Sequence, residues 1–331
     1  MSTTISDVAA AAGVSPATVS RVLNGNTGVA AELQGRVRTA VENLGYRPNG
    51  LARGLRRQAT MVLGVVISDV TNPFFTSMVR GFEDVAQAAG YSVVLANSDE
   101  DLEKERRYLE VAVAEQMAGV ALCPTSSGRT DVSVLAMYGT PVVTVDRELK
   151  GAAVDNVSID NHLAARRATE HLIGQGCAHI AFISGPTTTT TGERRLAGYR
   201  AALRSAGLSA SVKRADFRVD GGYRAASELL DARPTDGMLV SNNLMAVGAL
   251  RALQERGVAL PDDIAFASFD GVIWAQILHP TLTVMEQPTY EIGRRAAELL
   301  LARIADPGAP VQKVVLPAVL RIGQSSTSVS V

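Results

Sequence analysis

The apolar positions of this 331-residue chain repeat in two different ways, and the change falls near residue 60. Before it, Ile5, Val8, Ala9, Ala12, Val19, Val22 and Leu23 recur at three- and four-residue spacing, which places them along one side of two short helices. Gly13 falls where the first helix must end on a positive φ, and Val14 is an apolar plug in the turn. Leu33, Val37, Ala40, Val41 and Leu44 turn inward along a third helix over residues 32–44, closed by Gly45. Beyond residue 60, apolar runs at 61–67, 91–96, 120–122 and 141–145 read as strands, separated by amphipathic helices over 74–89, 102–115 and 132–138. A second series follows, with helices over 163–173, 194–206, 222–230 and 244–255 and strands over 180–184, 238–240 and 264–269. A helix over 289–304 and one strand over 311–320 finish the pattern. The expected fold is α + α/β: three helices, a connector, and two lobes each built on a parallel sheet.

Chemistry marks the ends of the first two helices. Thr4 can cap the first with Asp7 three positions on, and Ser15 can cap the second with Pro16 at its first helical position. With the apolar side inward, Pro16, Ala17, Ser20 and Arg21 face out. That face suits a DNA major groove: Arg21 can pair bidentately with guanine, Pro16 and Ala17 can touch thymine methyls, and Thr4, Ser15, Thr18 and Asn24 can reach phosphates. A helix pair that merely packs would share the pattern. Charge separates the two readings. Residues 1–60 carry seven arginines against three carboxylates, a balance of +4, whereas the whole chain is −1, so the remainder is −5. A basic head on an acidic body is the footprint of a nucleic-acid-binding module joined to a ligand-binding one.

Composition removes other classes. With 47% hydrophobic residues the chain suffices for about two globular units, and no apolar run is long enough to span a membrane. The opening Ser2-Thr3-Thr4 shows no secretory pattern, and Cys123 and Cys177 stand apart without ligand spacing, so a cytoplasmic protein without metal or cofactor is expected. There is no Gly-x-Gly-x-x-Gly after the first strand, no phosphate-cradling loop and no nucleophile elbow, so nothing supports catalysis.

Asp7-Val8-Ala9, Ala12-Gly13-Val14-Ser15, Thr18-Val19-Ser20-Arg21-Val22-Leu23-Asn24, Leu44-Gly45-Tyr46, Pro48-Asn49 and Ala52-Arg53-Gly54-Leu55 together resemble the lactose-repressor (LacI/GalR) family of bacterial transcription regulators. The resemblance implies a helix-turn-helix domain over 1–48, a hinge over 49–60, and a two-lobed, periplasmic-binding-protein-like effector domain over 61–331. It implies that the final helix completes the first lobe (about 61–160 and 289–320), the second spanning about 161–288 and the tail. It also implies a repressor located at the nucleoid, whose partners are a palindromic double-stranded DNA operator, a small effector and a second copy of the chain. The resemblance further implies that on DNA the hinge folds as a helix, with Asn49, Ala52 and Arg53 against the duplex and Leu55 entering the minor groove as a kinking wedge. Gly50 and Gly54 are poor helix formers, so the free hinge should be unstructured; a plain linker would have a similar composition. No leucine heptads precede Val331, which suits a dimer without a tetramerising coiled coil. Three departures from the family stand out: Ala30 cannot cap the third helix, Leu33 and Gln34 replace a hydroxyl and a positive charge, and Asn243 replaces an aspartate.

In the body, polar and aromatic residues gather at expected strand ends. Asp69, Asn72 and Phe75 follow the first strand, Asp146 and Arg147 the fourth, Arg195 opens a helix after Gly185-Pro186, and Asn242, Asp270 and Trp274 follow later strands. Carboxylates, amides and an arginine fork match vicinal hydroxyls, while aromatic faces cover a sugar ring, so the expected effector is a sugar, polyol or nucleoside-like molecule. The family resemblance points to Arg195, Asn242 and Asp270 as well. Asp and Asn at such positions also serve as helix caps. A sugar receptor without a DNA role and a purine-responsive regulator are the alternatives.

Overall fold

The structure, a computed structural model, describes residues 3–23, 28–46, 60–232, 234–271, 277 and 279–327. Asn24, Asn49, Ala52, Arg53, Leu55 and Trp274 lie outside the described residues. Packing divides the chain into two units, Met1–Thr60 and Met61–Val331.

In the first unit, α1 (Ile5–Ala12), α2 (Pro16–Leu23) and α3 (Ala31–Asn43) enclose Val8, Ala9, Ala12, Val19, Val22, Val37 and Ala40. Local chemistry sets each end. The Thr4 and Asp7 side chains cap each other's backbone N–H groups, at 2.8 Å for Thr4 N to Asp7 Oδ2 and 3.3 Å for Asp7 N to Thr4 Oγ1. Gly13 ends α1 at φ 63°. The Ser15 hydroxyl accepts from Thr18 N at 3.2 Å. Ala30 provides no side-chain cap for α3; instead the Gln34 amide donates to the Val29 carbonyl at 2.8 Å and holds the entry to that helix. Leu44, expected inward, is exposed because α3 ends before it and Gly45 turns the chain away.

In the second unit the chain runs β1 (Val62–Ile67), α4 (Pro73–Ala88), β2 (Ser92–Asn97), α5 (Leu102–Ala114), β3 (Gly119–Leu122), α6 (Ser133–Met137), β4 (Val142–Val145) and β5 (Asp155–Ile159). It continues through α7 (Asn161–Gly174), β6 (Ile180–Ser184), α8 (Thr190–Ser205), β7 (Ser211–Arg214), α9 (Val219–Ala232), β8 (Gly237–Val240), α10 (Asn243–Glu255) and β9 (Ala265–Phe269). Last come β10 (Thr283–Glu286), α11 (Thr289–Ala305), β11 (Lys313–Leu316) and β12 (Val319–Arg321). The first sheet has the order β11-β5-β4-β3-β1-β2 and the second β12-β10-β9-β8-β6-β7.

Three strands escape the periodicity argument. β5 opens with buried Asp155 and Asn156, tied to Arg303 and to Thr144, and polar residues hide a buried strand. β7 is a polar edge strand, and β10 owes its place to pairing with β9 and β12. The single strand expected over 311–320 is two: Pro317 lacks the N–H needed to continue a ladder, β11 runs parallel to β5, and β12 joins the other sheet antiparallel to β10. The second sheet is therefore mixed rather than parallel. Helix α8 starts earlier than the expected 194 because the Thr189 hydroxyl caps it, accepting from Gly192 N at 3.2 Å.

Candidate functional site

On the first unit, Pro16, Ala17 and Arg21 are exposed along α2, and Ser15 and Thr4 are exposed at helix starts. Thr18 is half-buried with its hydroxyl 3.0 Å from that of Ser15, and Ser20 is half-buried too, so the outward face is narrower than expected. Sequence reasoning missed one internal role. Arg36 donates from Nη2 to the Ala12 carbonyl at 2.6 Å, holding the end of α1 rather than adding to a phosphate-binding surface. A basic residue one helix away from a C-terminus was the available signal.

In the body, the carboxyl ends of the parallel strands from both sheets converge on one crevice of about 450 Å³ of atom-free space, its mouth included. Asp69, Asn72 and Phe75 reach it after β1, Asp146 and Arg147 after β4, Arg195 from α8, Asn242 after β8 and Asp270 after β9. Open α/β sheets bind ligands at this place. Sequence reasoning missed Glu100 after β2, Asp216, Phe217 and Arg218 after β7, Gln287 after β10, and Thr191.

Backbone conformation sets these groups in place. Among the described residues six non-glycine residues have positive φ, and five of them lie on the loops of this crevice: Asp99, Glu100, Asp146, Phe217 and Asp270. A bulky residue such as Phe217 at φ 63° is strained, and strain of this kind persists where surrounding structure dictates it. Gly185 leaves the room: a Cβ there would fall 2.1 Å from the Phe217 ring.

Charges in the crevice are buried and mutually held. Arg195 is 3% exposed; it donates from Nε to Asn161 Oδ1 at 2.7 Å and from Nη1 to the Ser241 carbonyl at 2.5 Å, and its guanidinium lies over the Phe269 ring at 4.1 Å. Burial lowers its pKa, opposed by the charges of Asp270 and Asp146. The Asp270 carboxyl is pushed up to about 6 by burial, against the pull of Arg195 and of Gln287, whose amide donates to Oδ1 at 2.5 Å. Burial also raises Asp146, countered by Arg195 and Arg147. Desolvation disfavours the Arg147 cation, yet its pKa is raised overall by Glu100, to which Nη1 and Nη2 donate at 2.8 and 2.6 Å. Two buried atoms here have no hydrogen-bond partner: Arg147 Nε, a donor, and Gln287 Oε1, an acceptor.

The amides mostly serve the scaffold. Asn242 Oδ1 caps α10 by accepting from Met245 N at 2.9 Å, and its Nδ2 donates to the Phe217 carbonyl at 3.0 Å. Asn72 Oδ1 accepts from Phe74 N at 3.0 Å and from Asn243 Nδ2 at 2.8 Å, joining a loop of the first sheet to a helix of the second. An aspartate at 243 would lack that donor. Arg218 makes a second tie between the sheets' loops, donating from Nη2 to Asp99 Oδ1 at 2.9 Å and to its carbonyl at 3.0 Å. Among the described residues there is no group of His, Cys, Asp and Glu fit to hold a metal ion, and no helix long and apolar enough to cross a membrane.

A helix-turn-helix unit joined to a two-lobed α/β body with a polar, aromatic-lined crevice defines the class of ligand-controlled DNA-binding regulators. Residues 4–49 match the family described as bacterial regulatory proteins, lacI family, and residues 169–326 match the periplasmic binding protein-like domain. The ribose operon repressor of Halalkalibacterium halodurans is 37% identical over 325 residues, which cover 98% of this chain and 97% of that one. The solved transcriptional regulator CelR–cellobiose complex has a TM-score of 0.75 at 32% identity, covering 98% of this chain and 99% of that one. The lac repressor dimer bound to operator and the anti-inducer ONPF shares the fold, with a TM-score of 0.87 at 24% identity over 99% of this chain and 100% of that one. The chain belongs to the LacI family of bacterial regulatory proteins. It is a DNA-binding transcriptional regulator and not an enzyme.

Proposed function

We propose that this protein is a cytoplasmic, nucleoid-associated repressor that binds a palindromic operator as a homodimer and is controlled by a pentose-sized sugar in the crevice of its body. In this reading Pro16, Ala17, Ser20 and Arg21 meet base edges, Thr4, Ser15, Thr18 and Asn24 meet phosphates, and Asn49, Ala52, Arg53 and Leu55 act as the minor-groove hinge. The observation that carries the effector assignment is the convergence of buried Asp146, Arg195 and Asp270 with the unpartnered Arg147 Nε and Gln287 Oε1 in one crevice. Adjacent ring hydroxyls both donate and accept, so they fit alternating carboxylate and guanidinium groups, while Phe75 and Phe217 supply apolar faces. The relative named a ribose operon repressor makes ribose the first candidate. Exposed Val94 and Leu95 on β2, an edge strand, support burial against a second copy. The effector couples to DNA by binding one arrangement of the lobes more tightly than another, and the coupling is reciprocal.

The test pairs two measurements. Selection of genomic fragments by the purified protein should recover a palindrome with a central CG step, and calorimetry should show ribose binding that changes affinity for it. A selection without any preferred sequence, with and without sugars, would overturn the regulatory reading.

A further inference from the structure

We infer that Asp99 and Asp216 are selectivity determinants that make the mouth of this crevice a charge filter, admitting an unphosphorylated sugar and rejecting its phosphate ester. The inference rests on the sugar reading of the site and adds the residues that decide which sugars qualify.

Three guanidinium groups line the crevice, and each has carboxylates among its neighbours. Arg147 is held bidentately by Glu100 and lies 3.7 Å from Asp146. Arg195 faces Asp146 and Asp270 and is bonded to Asn161 and the Ser241 carbonyl. Arg218, the most exposed of the three, is engaged by both the side chain and the carbonyl of Asp99 and feels Asp69 and Asp216 as well. One further cation stands close, Arg224, whose Nη2 is 3.7 Å from Asp216 Oδ2. Against these four cations stand the carboxylates of Asp69, Asp99, Glu100, Asp146, Asp216 and Asp270, so the rim and walls carry more negative than positive charge. A phosphate brought here would lose water and meet this net negative charge.

Hydrogen-bond valence points the same way. The orphaned donor Arg147 Nε and the orphaned acceptor Gln287 Oε1 need a group that accepts and a group that donates. The orientation of the Gln287 amide is fixed because its nitrogen faces the Asp270 carboxylate, so the oxygen is the unpaired end. Sugar hydroxyls satisfy both atoms; a phosphate group standing in place of the hydroxyl beside Gln287 only accepts and leaves that oxygen unpaired.

The local structure indicates why Asp99 controls this. Asp99 and Glu100 are consecutive residues at φ 57° and 59°, a conformation that turns one carboxylate toward Arg218 and the next toward Arg147. Neutralising Asp99 releases Arg218 to serve as an anion receptor at the mouth.

The experiment measures, by calorimetry on the full chain, the affinity ratio between each neutral sugar and its ester, using ribose with ribose 5-phosphate and glucose with glucose 6-phosphate. The wild type should favour the neutral member by about tenfold to a hundredfold, the loss expected when a buried polar partner goes unpaired. Asp99→Asn combined with Asp216→Asn should reduce that ratio at least about tenfold, and adding Arg218→Met should restore it. Restoration is the readout that a merely structural role for Asp99 would not produce. An ester that binds the wild type as tightly as its sugar, or a ratio untouched by the double variant, overturns the filter. Binding of glucose but not ribose, with its ester rejected, overturns the pentose reading and upholds the filter; silence from all four overturns both.

Discussion

The helical unit and the two-lobed body meet their partners in opposite ways. Pro16, Ala17 and Arg21 come from one short stretch and stay exposed over a small core. Asp146, Arg195, Asp270 and Gln287 come from strand ends far apart in sequence and are buried. A duplex must be met at the surface, whereas a small molecule must be surrounded, and surrounding it puts charges where water cannot reach them. Substitutions on α2 should therefore alter binding and spare folding, while those in the crevice should alter both.

The largest expected effect tests the buried side. Asp270→Ala should weaken sugar binding by about tenfold to a hundredfold, the loss typical of a hydrogen bond to a charged group, while operator affinity without sugar changes little. Calorimetry and gel mobility read the two, and an unimpaired response would move the ligand elsewhere. Next, Arg21→Ala should cost about 1–3 kcal/mol of operator discrimination with an unchanged melting temperature, measured on specific and scrambled DNA at one salt concentration. A fall in melting temperature would break the contrast.

The third effect concerns stability of the head alone. Gly13→Ala should destabilise it by about 1–2 kcal/mol, because φ is 63° there and a Cβ would meet the Arg36 guanidinium at 2.4 Å. Unfolding followed by separate probes in head and body should show only the first shifted. The smallest effect is a pH dependence of the body. The folded-state value of Asp270, about 6, lies above its ordinary 3.8, so its contribution favours the folded state fully below the ordinary value and is lost as pH rises through about 6. Urea unfolding between pH 4 and 7 should show that loss, and Asp270→Asn should flatten it.

The two regions also differ in how far the chain announces them. Helix periods, the Thr4–Asp7 cap and Gly13 are local signals, so the helices of the head were legible almost residue by residue; the exceptions are Arg36, which reaches another helix, the half-buried Thr18 and Ser20, and Leu44, exposed past the end of α3. In the body, looking just past each apolar run leads to Asp69, Asp146 and Asp270, because the carboxyl ends of parallel strands point the same way, and Arg195 lies on the helix after β6. Phe217, Arg218 and Gln287 follow β7 and β10, whose short or polar sequences carry no strand signal of their own. Glu100 was hidden differently: its strand was visible, but the left-handed turn that aims it at Arg147 was not. Asn242 had two readings from the outset, and its side chain serves as a helix cap in the folded chain.

The late crossing at Pro317 bears on how the molecule is made. The first sheet receives β11 only from residues 313–316, and α11, which packs along α4, comes from residues 289–305. The second sheet waits for β12 at 319–321. A chain emerging from the ribosome has thus written most of both sheets before either can be finished. Until the last few dozen residues appear, β5 and β10 each keep an open edge and α4 lacks its neighbour, so a ribosome stalled near residue 290 would hold two incomplete halves rather than one finished lobe and one pending.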